Sequence, residues 1–188
     1  MLGYDFNHKL HRCERGVVMV FFAILLPLLF GFMGLSLDAG LAYVEKGKVQ
    51  DIADSAALAG AAHLDAAGNY NGVVTKAAVQ SFAVANGLTL QDEDIVEKAA
   101  DAWDTKESVI SGHEAVLAYG VVNVNKDGKN VPRLRVRITK RVPVVFLSMV
   151  EGIANNMVVS GKAAAEVKVS ASDGSESSIT TRNLRLVE

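Results

Sequence analysis

The 188-residue chain is half hydrophobic, balances 19 basic against 21 acidic residues for a net charge of −2, and contains one cysteine, Cys13. That balance gives no bulk electrostatic pull toward nucleic acid or another strongly charged partner. A lone cysteine leaves the fold to stand without an intrachain disulfide, and roughly 120 to 150 residues outside any membrane segment suffice for one small core.

Residues 1–15 contain His8, His11 and Cys13. These are metal-ligand types, but three on a short arm without a fourth fall short of the zinc spacings, so no metal site is assigned. With Lys9, Arg12 and Arg15 they form a basic flank. The run from Gly16 to Leu37 then carries no charge for 22 residues. As a helix it reaches roughly 33 Å, enough to cross a hydrocarbon core of about 30 Å. A secretory h-region is only about 7 to 15 residues and ends in small residues, whereas this run ends in Leu35, Ser36, Leu37 and Asp38. The reading is a transmembrane helix over 16–37, with Gly16 at its entry, Pro27, Gly31 and Gly34 inside it, and Leu37 at its exit. Gly40-Leu41-Ala42 keeps a peptidase cut open as the alternative. The cations precede the span, so the positive-inside bias places the N-terminus in the cytoplasm and exports the chain beyond Leu37.

Residues 38–64 lack proline and are rich in alanine, which predicts that the helix continues, with Gly31, Gly34, Gly40 and Gly47 as weak points. Leu37, Leu41, Val44, Ile52, Ala56, Ala59 and Ala62 form its expected apolar face. In SAALAGAA, the small residues Ala56, Ala57, Ala59 and Gly60 allow close helix packing, either on the chain's own domain or against another subunit. A loop covers 65–72. A second helix runs from about Val73 to Asn86, with Val74, Ala77, Ala78, Phe82 and Ala85 on its apolar face and Gly87 as its stop. Between Asp92 and Gly112 the pattern around Trp103 fits helix or strand.

Strand signals then become plain. Val122 and Val124 alternate with asparagine, Lys126-Asp127-Gly128-Lys129 supplies a turn, and Leu134, Val136 and Ile138 alternate with Arg133, Arg135 and Arg137. The spacing predicts a hairpin with aliphatics inward and arginines, Arg141 included, on a solvated face. That basic face could also attract anionic headgroups or a surface polymer. A last strand runs from Met157 to about Val169, and residues 172–188 read as a polar tail. The exported part, 65–171, is thus an α+β domain.

No catalytic residue or cofactor site is assigned, because the sequence holds no G-x-S-x-G and no Walker pattern. His63 and His113 stand alone, and Asp92, Glu93 and Asp94 read as a solvated loop.

Four patterns occur together in order: Arg15-Gly16, a hydrophobic run interrupted by Pro27, Gly-Leu-x-Leu-Asp-x-Gly from Gly34 to Gly40, and Gln-x-x-Ala-Asp-x-Ala-Ala from Gln50 to Ala57. They resemble the N-terminal segment of TadE/TadG-like proteins of the bacterial Tad (Flp) pilus assembly system. More loosely, VEKAADAWDT, RVPVVFLSMVEG and VVSGKAAAEVKV look like the exported portion of that family, which inclines the Trp103 region toward strand. The resemblance implies a pseudopilin-like protein of the inner membrane facing the periplasm, associated with bacterial adhesion. Its partners would be membrane lipid and other pilus-assembly or pilin proteins, with no nucleic acid and an undefined oligomeric state. Pilins of this type are cut after a glycine and carry glutamate five residues on. Counted from a cut between Gly16 and Val17, that place is Phe21, so an anchored accessory protein is expected, with a processed filament subunit or an anchored binding module or enzyme as alternatives. Asp173-Gly174-Ser175-Glu176-Ser177 matches the start of the metal site in the von Willebrand A domain that long relatives append. Only 11 residues lie beyond Ser177, and the match is read as chance.

Overall fold

An unbroken apolar run joined to alanine-rich, proline-free sequence yields one helix, α1 (Leu10–Ala61), in the computed structural model, which describes residues 10–64, 69–99, 103, 109, 112–126, 129–149, 156–170 and 181–186. The helix continues through Pro27 and through the glycines expected to weaken it. Two structural units share the chain: Met1–Leu41 with Val144–Asn155, and Ala42–Pro143 with Asn156–Glu188.

In the first unit every residue from Gly16 to Met33 is exposed, although nearly all are apolar. A helix that is hydrophobic all round and lacks a protein cover has the form of a membrane span, and α1 is long and apolar enough to cross a bilayer.

In the second unit α1 buries Ala42, Val49, Ile52, Ala53, Ala56, Ala57 and Ala61, with Leu64 just beyond its end. This corrects the expected face: Leu41 and Val44 point to the exterior, as do Leu37 before them and Ala62 after them, and only Ile52 and Ala56 of that set are buried. The reason is steric. A Cβ on Gly161 would lie 2.7 Å from the Val49 carbonyl oxygen, so helix and strand approach at a distance that only small side chains permit.

The second helix, α2 (Gly72–Ala85), is capped by Asn71, whose side chain accepts from the N–H groups of Val73 and Val74 at 3.1 and 3.4 Å. At its other end Gly87 adopts φ +89°, and Gly87 N–H and Leu88 N–H bond the carbonyls of Val84 and Ala83, a Schellman closure. Its buried face is Thr75, Val79 and Ala83, not the expected Val74, Ala77, Ala78, Phe82 and Ala85. Phe82 is left about half exposed because Val79 instead fits beside Gly60.

Five strands form one sheet in chain order: β1 (Ile95–Glu97), β2 (Ala115–Lys126), β3 (Lys129–Pro143), β4 (Asn156–Ser170) and β5 (Thr181–Leu186). β1 joins β2 in parallel and the other neighbours are antiparallel. The architecture is α+β. The hairpin has the expected register, with Lys126 opposite Lys129 and Val124 opposite Val131, while Asp127 and Gly128 lie outside the described residues. Leu134, Val136 and Ile138 face the helices in the core.

Two further expectations are corrected. The arginine side of β3 is covered: Arg137 is buried with its guanidinium 6.0 Å from the Trp103 ring centroid, and Arg141 Nη2 donates to the Val109 carbonyl at 2.7 Å. The 172–188 stretch is not all a tail beyond the α+β domain, since Thr181–Leu186 pairs with β4 from Ala165 to Ser170. The neighbours of Trp103, the Asp173–Ser177 match, and the His8, His11 and Cys13 side chains fall outside the described residues.

Candidate functional site

The first unit contains a clasp where the apolar stretch of α1 ends. Pro143 has no N–H and terminates β3, after which the chain turns into a short 3-10 segment, Leu147–Met149. The N–H groups opening such a turn have no carbonyl partner of their own. Asp38 supplies one: its carboxylate accepts from the N–H groups of Val145 at 3.0 Å, Phe146 at 3.0 Å and Leu147 at 2.8 Å. Burial by itself pushes the Asp38 carboxyl up, but these three bonds outweigh it and hold the group below the ordinary carboxylate value. One turn earlier, Gly34 receives the Phe146 ring, and a Cβ there would sit 2.6 Å from Phe146 Cγ. Beside this contact lies an apolar groove of about 530 Å³, lined among others by Phe30, Gly31, Met33, Phe146 and Met149.

Of the residues singled out in the span, Gly16, Val17, Pro27, Gly31 and Leu37 are exposed, and Gly34 alone is covered. Gly31 borders the groove. Nothing in the sequence tied the glycine and aspartate of Gly34–Gly40 to Phe146, far along the chain.

The second unit gives the Gln50–Ala57 pattern a physical role. Gln50 Oε1 accepts from Lys162 N–H at 3.1 Å, and its Nε2 donates to the Lys162 carbonyl at 2.7 Å and to Asp54 Oδ1 at 3.0 Å. Because, among the described residues, β5 pairs with β4 from Ala165 onward, Gln50 occupies backbone positions on β4 that another strand would otherwise take. Ala53, Ala56 and Ala57 are fully buried beside it, Ala59 is half-buried, and Gly60 lies where a Cβ would meet Leu134 Cδ2 at 2.3 Å. The small-residue stretch therefore packs on this chain's own strands and α2.

Polar groups also cluster in the second unit. Lys140 Nζ lies 3.0 Å from Glu45 Oε2 and 2.9 Å from Glu114 Oε1, and Lys48 reaches Glu45 at 2.6 Å. The bonds from Lys48 and Lys140 hold Glu45 below its usual value. For Glu114, burial raises the carboxyl, and the hydrogen bonds from Lys140 and Thr89 with the lysine's charge more than offset it; for Lys140, burial lowers the ammonium and the two glutamates overcome that, leaving it raised. Tyr70 donates to Glu97, which together with burial pushes its phenol up to about 12.

His113, isolated in the sequence, has company in the fold: its Nδ1 lies 2.8 Å from Asp94 Oδ1 and its Nε2 3.3 Å from Glu93 Oε1. Asp94 is 1% exposed, which corrects the solvated-loop reading for that residue while Asp92 and Glu93 are exposed as expected, and it also accepts from Gln91 N–H at 2.7 Å. Both imidazole nitrogens face carboxylates, leaving neither turned toward a nucleophile. His63 is exposed. Among the described residues no three His, Cys, Asp or Glu side chains are arranged to hold a metal.

Residues 16–63 match the family model described as "Putative Flp pilus-assembly TadE/G-like". This TadE/G-like segment is the one that the Gly34–Gly40 and Gln50–Ala57 patterns resembled, and it ends before the sheet begins. No curated protein and no solved structure matches the chain.

Proposed function

We propose that this chain is a single-pass, membrane-anchored accessory component of a Tad (Flp) pilus assembly system, with its N-terminus in the cytoplasm and its α+β domain in the periplasm. It acts through contacts with other pilus-assembly or pilin proteins and performs no catalysis. The observation that carries this reading is the coincidence of the TadE/G-like match over 16–63 with a helix that is apolar on every side and uncovered from Gly16 to Met33. Orientation is argued from Lys9, Arg12 and Arg15 preceding the span, against Asp38 at its far end and a first cation only at Lys46.

Phe21 favours the accessory role over that of a filament subunit. It is 70% exposed and apolar where a subunit's assembly carboxylate would stand. Without that charge the span has no buried ion pair with which to draw a neighbour's N-terminus into register.

Fractionation of native cells with N-terminal sequencing tests the proposal. Full-length protein in the inner membrane, resistant to alkaline carbonate, is the expected result. A chain beginning at Val17 in sheared surface fibres would make it a processed minor pilin, and release by carbonate would remove the anchor altogether.

A further inference from the structure

We infer that the segment Val144–Met149 is a second membrane element, an apolar wedge seated among the acyl chains of the outer leaflet and held there by Asp38. The inference rests on the reading of α1 as a span and extends it to a part of the chain distant in sequence.

Depth is the first argument. Phe146 packs on Gly34, four residues before Asp38, and shares its groove with Phe30, eight residues before. At about 1.5 Å per residue these positions lie roughly 6 and 12 Å below Asp38 along the helix axis. The uncharged run ends at Leu37, so the groove is level with the outer part of the hydrocarbon, and whatever lines it shares that depth.

Composition is the second argument. From Val142 to Val150 there is no charged residue. Val145, Phe146 and Met149 are 57%, 42% and 80% exposed, a set of apolar side chains only partly covered by protein that continues the uncovered surface of the span itself. Phe and Leu at this level, beside a helix that has already entered the bilayer, match the shallow insertion of an interfacial anchor, about 5 to 10 Å deep.

The backbone supplies the third argument. In lipid a non-helical segment must have its N–H groups satisfied by protein, because water is absent. Asp38 bonds three consecutive N–H groups of this segment and is itself only 1% exposed. A carboxylate at the rim of a bilayer is costly unless it is hydrogen-bonded, and here the wedge provides the bonds that the carboxylate needs.

The test measures immersion directly. A nitroxide label is placed by Met149→Cys, Phe22→Cys or Val73→Cys in the full chain carrying Cys13→Ser, reconstituted in phosphatidylethanolamine/phosphatidylglycerol vesicles. Collision rates with oxygen, which concentrates in lipid, and with a water-soluble nickel chelate are then compared. The expected oxygen-to-nickel ratio at 149 matches that at 22 and far exceeds that at 73, and adding Asp38→Ala shifts the 149 label toward nickel. If 149 behaves as 73 does while 22 stays in lipid, the wedge is overturned and the span survives. If 149 is shielded from both reagents, protein covers it and the wedge is again overturned. If 22 itself meets nickel, the span reading falls and takes the wedge with it. An Asp38→Ala label that stays in lipid would overturn the clasp's role in holding the segment.

Discussion

Lys140, on β3, ties α1 to the bend before β2 through Glu45 and Glu114, and the lysine and its two glutamates shift in opposite directions. Glu45 and Glu114 are held below their ordinary value of 4.5, so their contribution to stability is complete above that value and is lost as pH falls through the lowered folded-state values. Lys140 is raised above 10.5, so its contribution is complete below that pH and is lost as pH rises through its folded value. Stability should therefore be flat through neutrality and fall at both extremes, read as the urea midpoint of the full chain in detergent from the fluorescence of Trp103, the sole tryptophan. Lys140→Met should lower the midpoint at neutral pH by removing the cation between Glu114 and Glu45 and leaving Glu45 with Lys48 alone. The deficit should narrow on acidification as those glutamates protonate; a deficit independent of pH would show that the lysine matters through packing alone. Two glycines give a steric comparison by the same assay. At Gly60 a new methyl meets the ends of Leu134 and Val79, which can shift, so Gly60→Ala should cost about 1 to 3 kcal/mol. At Gly161 it meets the Val49 carbonyl, which cannot move without the helix, so Gly161→Ala should cost more.

Among the elements, the β2–β3 hairpin was legible because period-two alternation and Lys-Asp-Gly-Lys agreed on one register, and the long apolar helix was legible because 22 residues run without a charge or a strand-like alternation. The inward sides of both helices were not. Along α1 the bulky Leu41 and Val44 suggested a core face, but the sheet approaches so closely that alanine and glycine occupy the contact. In α2, valines and alanines lie on every side, so periodicity could not choose between Phe82 and Val79, and tertiary fit chose Val79. Strand β5 went unread because its apolar signal is short, Leu184 and Leu186 within a polar sequence, and its partner on β4 was unknown. Polar pairings such as Asp38 with Phe146 or Asp94 with His113 join residues that no spacing rule connects. Gln50 makes the element-scale prediction. Gln50→Ala should leave the Lys162 N–H unpaired, raising its amide hydrogen exchange while the amides of β3 keep their protection, and should cost about 0.5 to 1.5 kcal/mol for each hydrogen bond lost. Unchanged exchange at Lys162 would mean that the glutamine does not guard that edge.

For the whole molecule the decisive variable is which side of the membrane each end occupies, and the chain carries its own probe. Cys13 is the only cysteine and precedes the span, whereas everything from Asp38 onward lies after it. The cations at Lys9, Arg12 and Arg15 resist translocation, while no comparable cluster opens the far side. An impermeant maleimide should accordingly label the full-length protein in inside-out vesicles and leave it unlabelled in intact spheroplasts, with Val73→Cys in a Cys13→Ser background giving the reverse pattern. The same probe separates anchoring from processing, because a cut after Gly16 removes Cys13 with the leader, and the mature chain would then be unreactive on both sides even after denaturation. Labelling of Cys13 from outside would invert the orientation and place the α+β domain in the cytoplasm. It would then be out of reach of a pilus assembled beyond the membrane, so the position of this one thiol decides whether the clasp, the seam at Gln50 and the sheet behind it can serve pilus assembly in the periplasm.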